Sequence, residues 1–314
     1  MKKNIVIIAG PTASGKTLLS IELSKIINGE IVSADSMQIY KYMDIGSAKP
    51  TIDEMQGIPH HMIDIIEPEE EFSVALYRQK AGECIDDIIS RGKMPVVVGG
   101  TGLYINSLTY PLDFTNTSQD KEYRLYLQKL AENYGGEYIH NMLREIDAES
   151  AARLHPNDIK RIIRALEVYK NTGKTMTEYI LESRSKEIEY NLAYMGLYMD
   201  RQKLYDRINK RVDEMFEKGL VDEVKKLKNM GYNKNMTSMQ GIGYKEVFDY
   251  LDGIYTLDEV KDIIKQNTRH YAKRQLTWFR REERIHWIDI DKFNDVDEIL
   301  ENMIYYIESK FNLV

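Results

Sequence analysis

The chain has 314 residues, 43% of them hydrophobic and 30% charged, with a net charge of −7 and one cysteine. That length carries a full α/β core plus an added domain, and a single cysteine excludes both a disulfide framework and a zinc ribbon. No apolar run approaches the roughly 18 residues of a membrane span, and the N-terminus enters a strand without a signal-peptide apolar region, so a cytoplasmic, membrane-free protein is expected, with a monomer as the working state.

Asn4–Ala9 reads as a buried strand and Lys16–Ile27 as a helix. Between them stands Gly10-Pro11-Thr12-Ala13-Ser14-Gly15-Lys16-Thr17, the spacing G-x-x-x-x-G-K-[ST] of a phosphate loop. Strand, glycine-rich turn and helix are the context the motif needs, because backbone N–H groups at a helix start then face an anion. Lys16 adds a point charge for phosphates, and the Thr17 hydroxyl can ligate Mg²⁺. The chain therefore holds a phosphorylated compound.

Glu30–Ser33 is a second strand, and it delivers Asp35 to a carboxyl end beside the loop. A carboxylate there ligates Mg²⁺ through water, acts as a general base, or caps a helix. Helical spacing of Leu76, Ala81, Ile85, Ile88 and Ile89 predicts a helix over 72–90, with the lone Cys84 a small buried residue inside it. Met94–Val98 is a third apolar strand, followed by Gly99-Gly100-Thr101-Gly102 with no Walker-type carboxylate. These small residues permit either close ligand approach or a tight turn, and Thr101 either meets a phosphate or caps the next helix. Adjacent His60 and His61 cannot easily share one metal ion.

The strand–helix alternation stops near Leu112, and about 117–185 is helical and polar. Asn191–Asp200 looks like a strand returning to the sheet. The expected fold is α/β: a P-loop NTPase-like parallel sheet core, 1–114 with 191–314, holding a helical insertion domain over 115–190. Helices follow over 201–217, 221–228, 244–251 and 257–280, then a strand over 285–288 and a last helix over 296–310. Trp278 is expected in the core.

Two segments concentrate positive charge. Arg153, Lys160, Arg161, Arg164, Lys170 and Lys174 stand against Asp158 and Glu167; Lys265, Arg269, Lys273, Arg274, Arg280, Arg281 and Arg284 stand against Glu282 and Glu283. They are either solvated helix faces or a local field for nucleic acid on an acidic chain. The loop alone also fits a small-molecule or nucleoside kinase, which is the alternative; the missing arginine-bearing lid and the two basic segments count against it.

The loop together with Ser33-Ala34-Asp35-Ser36-Met37-Gln38-Ile39-Tyr40, Met43–Pro50, Ile58–Asp64, Val97–Tyr104, His155–Asp158, Gly241–Tyr244 and Ala272-Lys273-Arg274-Gln275-Leu276-Thr277-Trp278-Phe279 resembles the tRNA dimethylallyltransferases over nearly the whole chain. With no zinc finger, it is similar to the bacterial form. The resemblance implies transfer of a dimethylallyl group from dimethylallyl diphosphate to N6 of the adenosine 3′ of the anticodon, in tRNAs reading codons that begin with U, with Mg²⁺ as cofactor. ATP binding is suggested by the shape of the loop alone. The resemblance implies Asp35 as base and Lys16, Thr101 and Arg211 as further catalytic groups. It implies the whole loop Gly10–Thr17 with Arg207 and Arg211 on the diphosphate, unless those two arginines only form a surface ladder with Asp206, Asp213 or Glu214. Its implied contacts to the tRNA anticodon stem-loop are Asp35, Ser36, Met37, Gln38, Thr101, Arg124, Lys160, Arg161, Ile162, Ile163, Arg164, Lys273 and Arg274.

Overall fold

A computed structural model describes residues 2–110, 120–185 and 188–312. The chain falls into two compact units, Met1–Leu108 with Tyr190–Val314 and Thr109–Glu189. The expected boundary at 114/115 lies outside the described residues. Tyr190, expected to close the insertion, is instead the first residue of a strand.

The first unit holds β1 (Lys3–Ala9), α1 (Lys16–Ile26), β2 (Gly29–Ser33), α2 (Ile52–Met55), β3 (His60–His61), α3 (Val74–Ser90), β4 (Met94–Gly99) and α4 (Gly102–Thr109). The second holds α5 (Lys121–Tyr134), α6 (Gly136–Ile146), α7 (Ala148–Arg153), α8 (Ile159–Thr172) and α9 (Met176–Ser185). The chain returns to the first through β5 (Tyr190–Tyr198), α10 (Arg201–Glu217), α11 (Leu220–Asn229), α12 (Tyr244–Leu251), α13 (Leu257–Phe279), β6 (His286–Asp289) and α14 (Val296–Phe311).

Among the described residues six strands form one sheet in the order β3-β2-β4-β1-β5-β6, all parallel. Ile5, Ile7 and Ala9 of β1 face Tyr77, Ile85 and Ile105 of α3 and α4, and Phe279 of α13. Val6 and Ile8 face Leu19 and Leu23 of α1 and Met303 and Ile307 of α14. A strand covered on both faces must be apolar at every position, which is why the central strands read as unbroken apolar runs. Edge strand β3 has no such run. Its two half-buried histidines pair with Ile31 and Val32, and His61 Nε2 lies 2.8 Å from buried Glu30. Arg91 and Lys93 hold the same carboxylate, the largest single cause that keeps it ionised well below the usual range being the Arg91 hydrogen bond. A third apolar cluster joins α10–α13 to Ile39, Tyr40 and Met43 beyond the end of β2. This cluster builds a wall above the carboxyl ends of the strands, where a parallel sheet opens its ligand crevice.

Candidate active site

The phosphate loop curls through left-handed backbone at Ala13 and Gly15, with φ of 63° and 89°. The turn aims the first amides of α1 inward. Lys16 Nζ donates to the Pro11 carbonyl at 2.7 Å. The Thr12 N–H donates to Gln275 Oε1 at 2.9 Å, and Gln275 Nε2 donates to the Gly100 carbonyl at 3.0 Å. One buried amide of α13 thus ties the loop to the end of β4.

Beyond β2, Asp35 Oδ1 accepts the N–H groups of Met37 at 2.8 Å and Gln38 at 3.4 Å. Capping and chemistry are therefore compatible, because one oxygen holds the turn and Oδ2 has no partner among the described residues. The ends of β2 and β4 meet at Gly99, where an added Cβ would fall 2.1 Å from the Ala34 carbonyl oxygen. Only glycine admits that approach. The Thr101 N–H donates to Ala34 O at 3.1 Å, and its hydroxyl accepts the Ser36 N–H at 3.1 Å. Thr101 thus clamps the Asp35 turn and reaches the cavity through Ser36.

A cavity of about 380 Å³ joins these pieces. Thr12, Lys16 and Thr17 line it from the loop, Asp35–Gln38 from the β2 turn, Gly99 and Gly100 from β4, and Gly46–Ala48 from the following loop. Arg211 of α10 and Tyr271, Arg274 and Gln275 of α13 close it, and Ile208, Val212, Met215, Ile242 and Ile264 give it an apolar side. A second cavity of about 500 Å³ shares Lys16, Thr17, Ala48, Arg211 and Met215, and adds Ala13–Gly15, Arg207 and Lys210. Gly10 and Pro11, which open the loop, line neither cavity; Gly10 packs on Leu197 and Ser14.

Cations dominate the phosphate end. Burial, and then the neighbouring Arg211, pull the Lys16 ammonium down to about 7 against the opposing pull of Asp35. Burial also lowers Arg211, again against Asp35. Arg211 is not part of a surface ladder: Glu214 pairs with Lys210 at 3.8 Å, Asp213 with Lys265 at 2.7 Å, and Asp206 accepts from Gln202 at 3.0 Å. Arg211 instead reaches the Ala48 carbonyl at 3.5 Å. Two poorly solvated cations beside one carboxylate fit an anionic ligand, whose charge lifts the penalty each of them carries. Burial, then Asp35, pushes the Tyr271 hydroxyl well above its ordinary range.

Other expected contacts divide. Lys273 and Arg274 are exposed on α13, with Arg274 at the cavity edge. Trp278, expected in the core from its helical run, is instead 39% exposed, with its indole edge on Gly102. In the helical unit Lys160 and Arg161 are exposed. Arg124 and Arg164 clasp Glu167, whose side chain is fully buried, at 2.7 and 2.6 Å. Ile162 and Ile163 need correction as tRNA contacts, because both side chains pack in the helical core with Leu127, Ile139 and Leu143. Cys84 is half-buried beside the main core. Sequence reasoning assigned no role to Tyr271 or Gln275. Their spacing with Ile264 and Thr268 puts all four on one face of α13, a signal that was legible.

Among the described residues no helix is long and apolar enough to cross a membrane. The IPP transferase family model matches residues 38–282, and the isopentenyl transferase model matches residues 3–66. The tRNA dimethylallyltransferase of Acetivibrio thermocellus is 55% identical over 304 residues, 97% of each chain. The crystal structure of the full-length tRNA isopentenylpyrophosphate transferase from Bacillus halodurans is similar with a TM-score of 0.74 and 46% identity, covering 99% of each chain. A eukaryotic dimethylallyltransferase acting on tRNA is similar with a TM-score of 0.78 and 32% identity, over 91% of this chain and 74% of that one. These relatives do not favour the kinase alternative.

Proposed function

The chain belongs to the IPP transferase family, and we propose that it transfers the dimethylallyl group of dimethylallyl diphosphate to N6 of the adenosine 3′ of the anticodon, in tRNAs reading codons that begin with U. The observation that carries the reading is the convergence of Lys16, Arg211 and Asp35 on one cavity with an apolar side.

The amine nitrogen attacks C1 of the dimethylallyl group as the C1–O bond breaks, and that electron pair leaves on the diphosphate. Lys16, Arg211 and the loop amides face the departing charge and stabilise it; Arg207 adds charge in the neighbouring chamber. The proton freed from N6 passes to the open oxygen of Asp35. Adenine amines are weak nucleophiles, so positioning supplies much of the rate. Gln38 and Ser36 stand where they meet the base, which must leave its stack to enter. Thr101 supports the Asp35 turn, and Tyr271 stands beside Thr101.

The donor set suits Mg²⁺, because Thr17 and Asp35 present only hard oxygen ligands to the same cavity. When bound there, with Thr17 as ligand and Asp35 through water, the ion supplies further charge for the leaving diphosphate. Lys273 and Arg274 serve as phosphate contacts that position the stem. Lys160 and Arg161 serve likewise in the helical unit.

Unmodified tRNA is incubated with Mg²⁺ and either labelled dimethylallyl diphosphate or labelled ATP. Label on tRNA from the first alone is expected. Phosphoryl transfer from ATP with no prenylation overturns the reading.

A further inference from the structure

The carboxylate of Glu223 in α11 accepts three successive backbone N–H groups, from Asp44 at 2.9 Å, Ile45 at 2.8 Å and Gly46 at 3.1 Å. The Tyr244 hydroxyl donates to it at 2.8 Å. Consecutive amides turned toward one point make an anion-binding concavity, and here a side chain of the protein fills it. The next residues are part of the site. Gly46, Ser47 and Ala48 line the main cavity, and Ala48 also lines the second one. The Ala48 carbonyl takes Arg211 at 3.5 Å and Gln38 Nε2 at 3.3 Å. An added Cβ at Gly46 would lie 2.5 Å from the Tyr244 ring, so the loop is seated directly on that residue. Lys49, with a side chain only 5% exposed, pins the far end through Asp44 and Asp64, both at 2.5 Å.

We infer that Glu223 is a positioning residue: by occupying the Asp44–Gly46 amide nest it sets the Ala48 carbonyl, and through it the aim of Arg211 toward the donor diphosphate and of Gln38 toward the acceptor base. No other carboxylate accepts from these three amides among the described residues. Charge-assisted bonds to backbone N–H groups are about twice as strong as neutral ones, so a carboxylate is the group suited to hold them. The inference deepens the proposed prenyl transfer and rests on that reading for its effect on rate.

The test is Glu223→Ala with added formate, a small carboxylate sized for the vacated nest. Activity with dimethylallyl diphosphate is expected to fall about 10- to 100-fold in kcat/KM, with tRNA affinity unchanged. Formate restores part of the loss, and chloride at equal ionic strength does not, a control needed because tRNA binding is itself salt-sensitive. Hydrogen exchange of the Asp44–Gly46 amides rises in the variant and falls again with formate. That readout involves no chemistry on tRNA, so it stands or falls separately from the proposed activity. Tyr244→Phe keeps the ring and removes one hydrogen bond, and a smaller loss in the same direction is expected even if Glu223→Ala fails to fold. Wild-type turnover in either folded variant overturns the inference, as does a loss that formate leaves untouched.

Discussion

Thr12 and Gln275, 263 residues apart, share a 2.9 Å hydrogen bond in which the loop amide donates to the side-chain oxygen. Gln275 Nε2, the other end of the side-chain amide, donates to the Gly100 carbonyl. The helix that carries Lys273 and Arg274 is thereby joined to both phosphate-side turns of the cavity. Gln275→Leu is expected to strand the Thr12 N–H and the Gly100 carbonyl without partners, at a cost of about 1–3 kcal/mol. Urea unfolding measures this. Turnover is expected to fall more than tRNA affinity, because the loop moves while the surface of α13 is intact. An unchanged unfolding midpoint would show that water replaces the bridge.

Asp35→Asn keeps an oxygen for the Met37 amide and removes the base. We expect kcat to drop by roughly 10²–10⁴ with tRNA affinity retained, measured by single-turnover kinetics and filter binding. Turnover near wild type would remove Asp35 as base.

Lys16 is pulled down to about 7 when folded, against an ordinary value of 10.5. Between those two values the unfolded chain binds one more proton than the folded one, so this group makes stability rise with pH. Its penalty is full below about 7 and relieved progressively toward 10.5. Lys16→Met is therefore expected to raise Tm at pH 6 and to flatten the rise of Tm with pH above 7. Binding pyrophosphate raises the lysine again, so wild type should take up a proton at pH 8, seen as a buffer-dependent enthalpy in calorimetry. The methionine variant should not.

Lys160 and Arg161 are exposed, whereas Arg124 and Arg164 are committed to Glu167. Lys160→Ala with Arg161→Ala is expected to raise the tRNA KM and flatten its salt dependence by about one unit of slope per lost phosphate contact. Arg124→Met is expected to act on stability, by about 1–3 kcal/mol, since it removes a bidentate partner from a buried carboxylate. A melting curve and a salt series separate the two effects. Equal salt slopes for all the variants would refute the division.

Much of this protein is decided by local sequence. Ile5–Ala9 and Val96–Val98 announce a sheet covered on both faces, because a doubly buried strand has no polar position to alternate with. The phosphate loop is legible because its chemistry lies in eight consecutive residues whose turn and helix start are dictated by glycine and by spacing. Asp35 is legible for a similar reason, since the end of a parallel strand beside that loop is where ligands sit. Packing decided the rest. Nothing in a run of basic residues distinguishes Arg164, folded onto a buried glutamate, from Arg161, which stays exposed and pairs only at 3.8 Å with Asp158. Periodicity made Trp278 look like core, yet while the adjacent Phe279 packs on the sheet, the Trp278 indole stays part exposed and covers the glycine turn after β4. The His60–His61 edge strand, the Glu223 nest and the Thr12–Gln275 bridge all pair groups distant along the chain. Such pairings follow from which faces meet in three dimensions, and side-chain periodicity within one element carries no record of its partner.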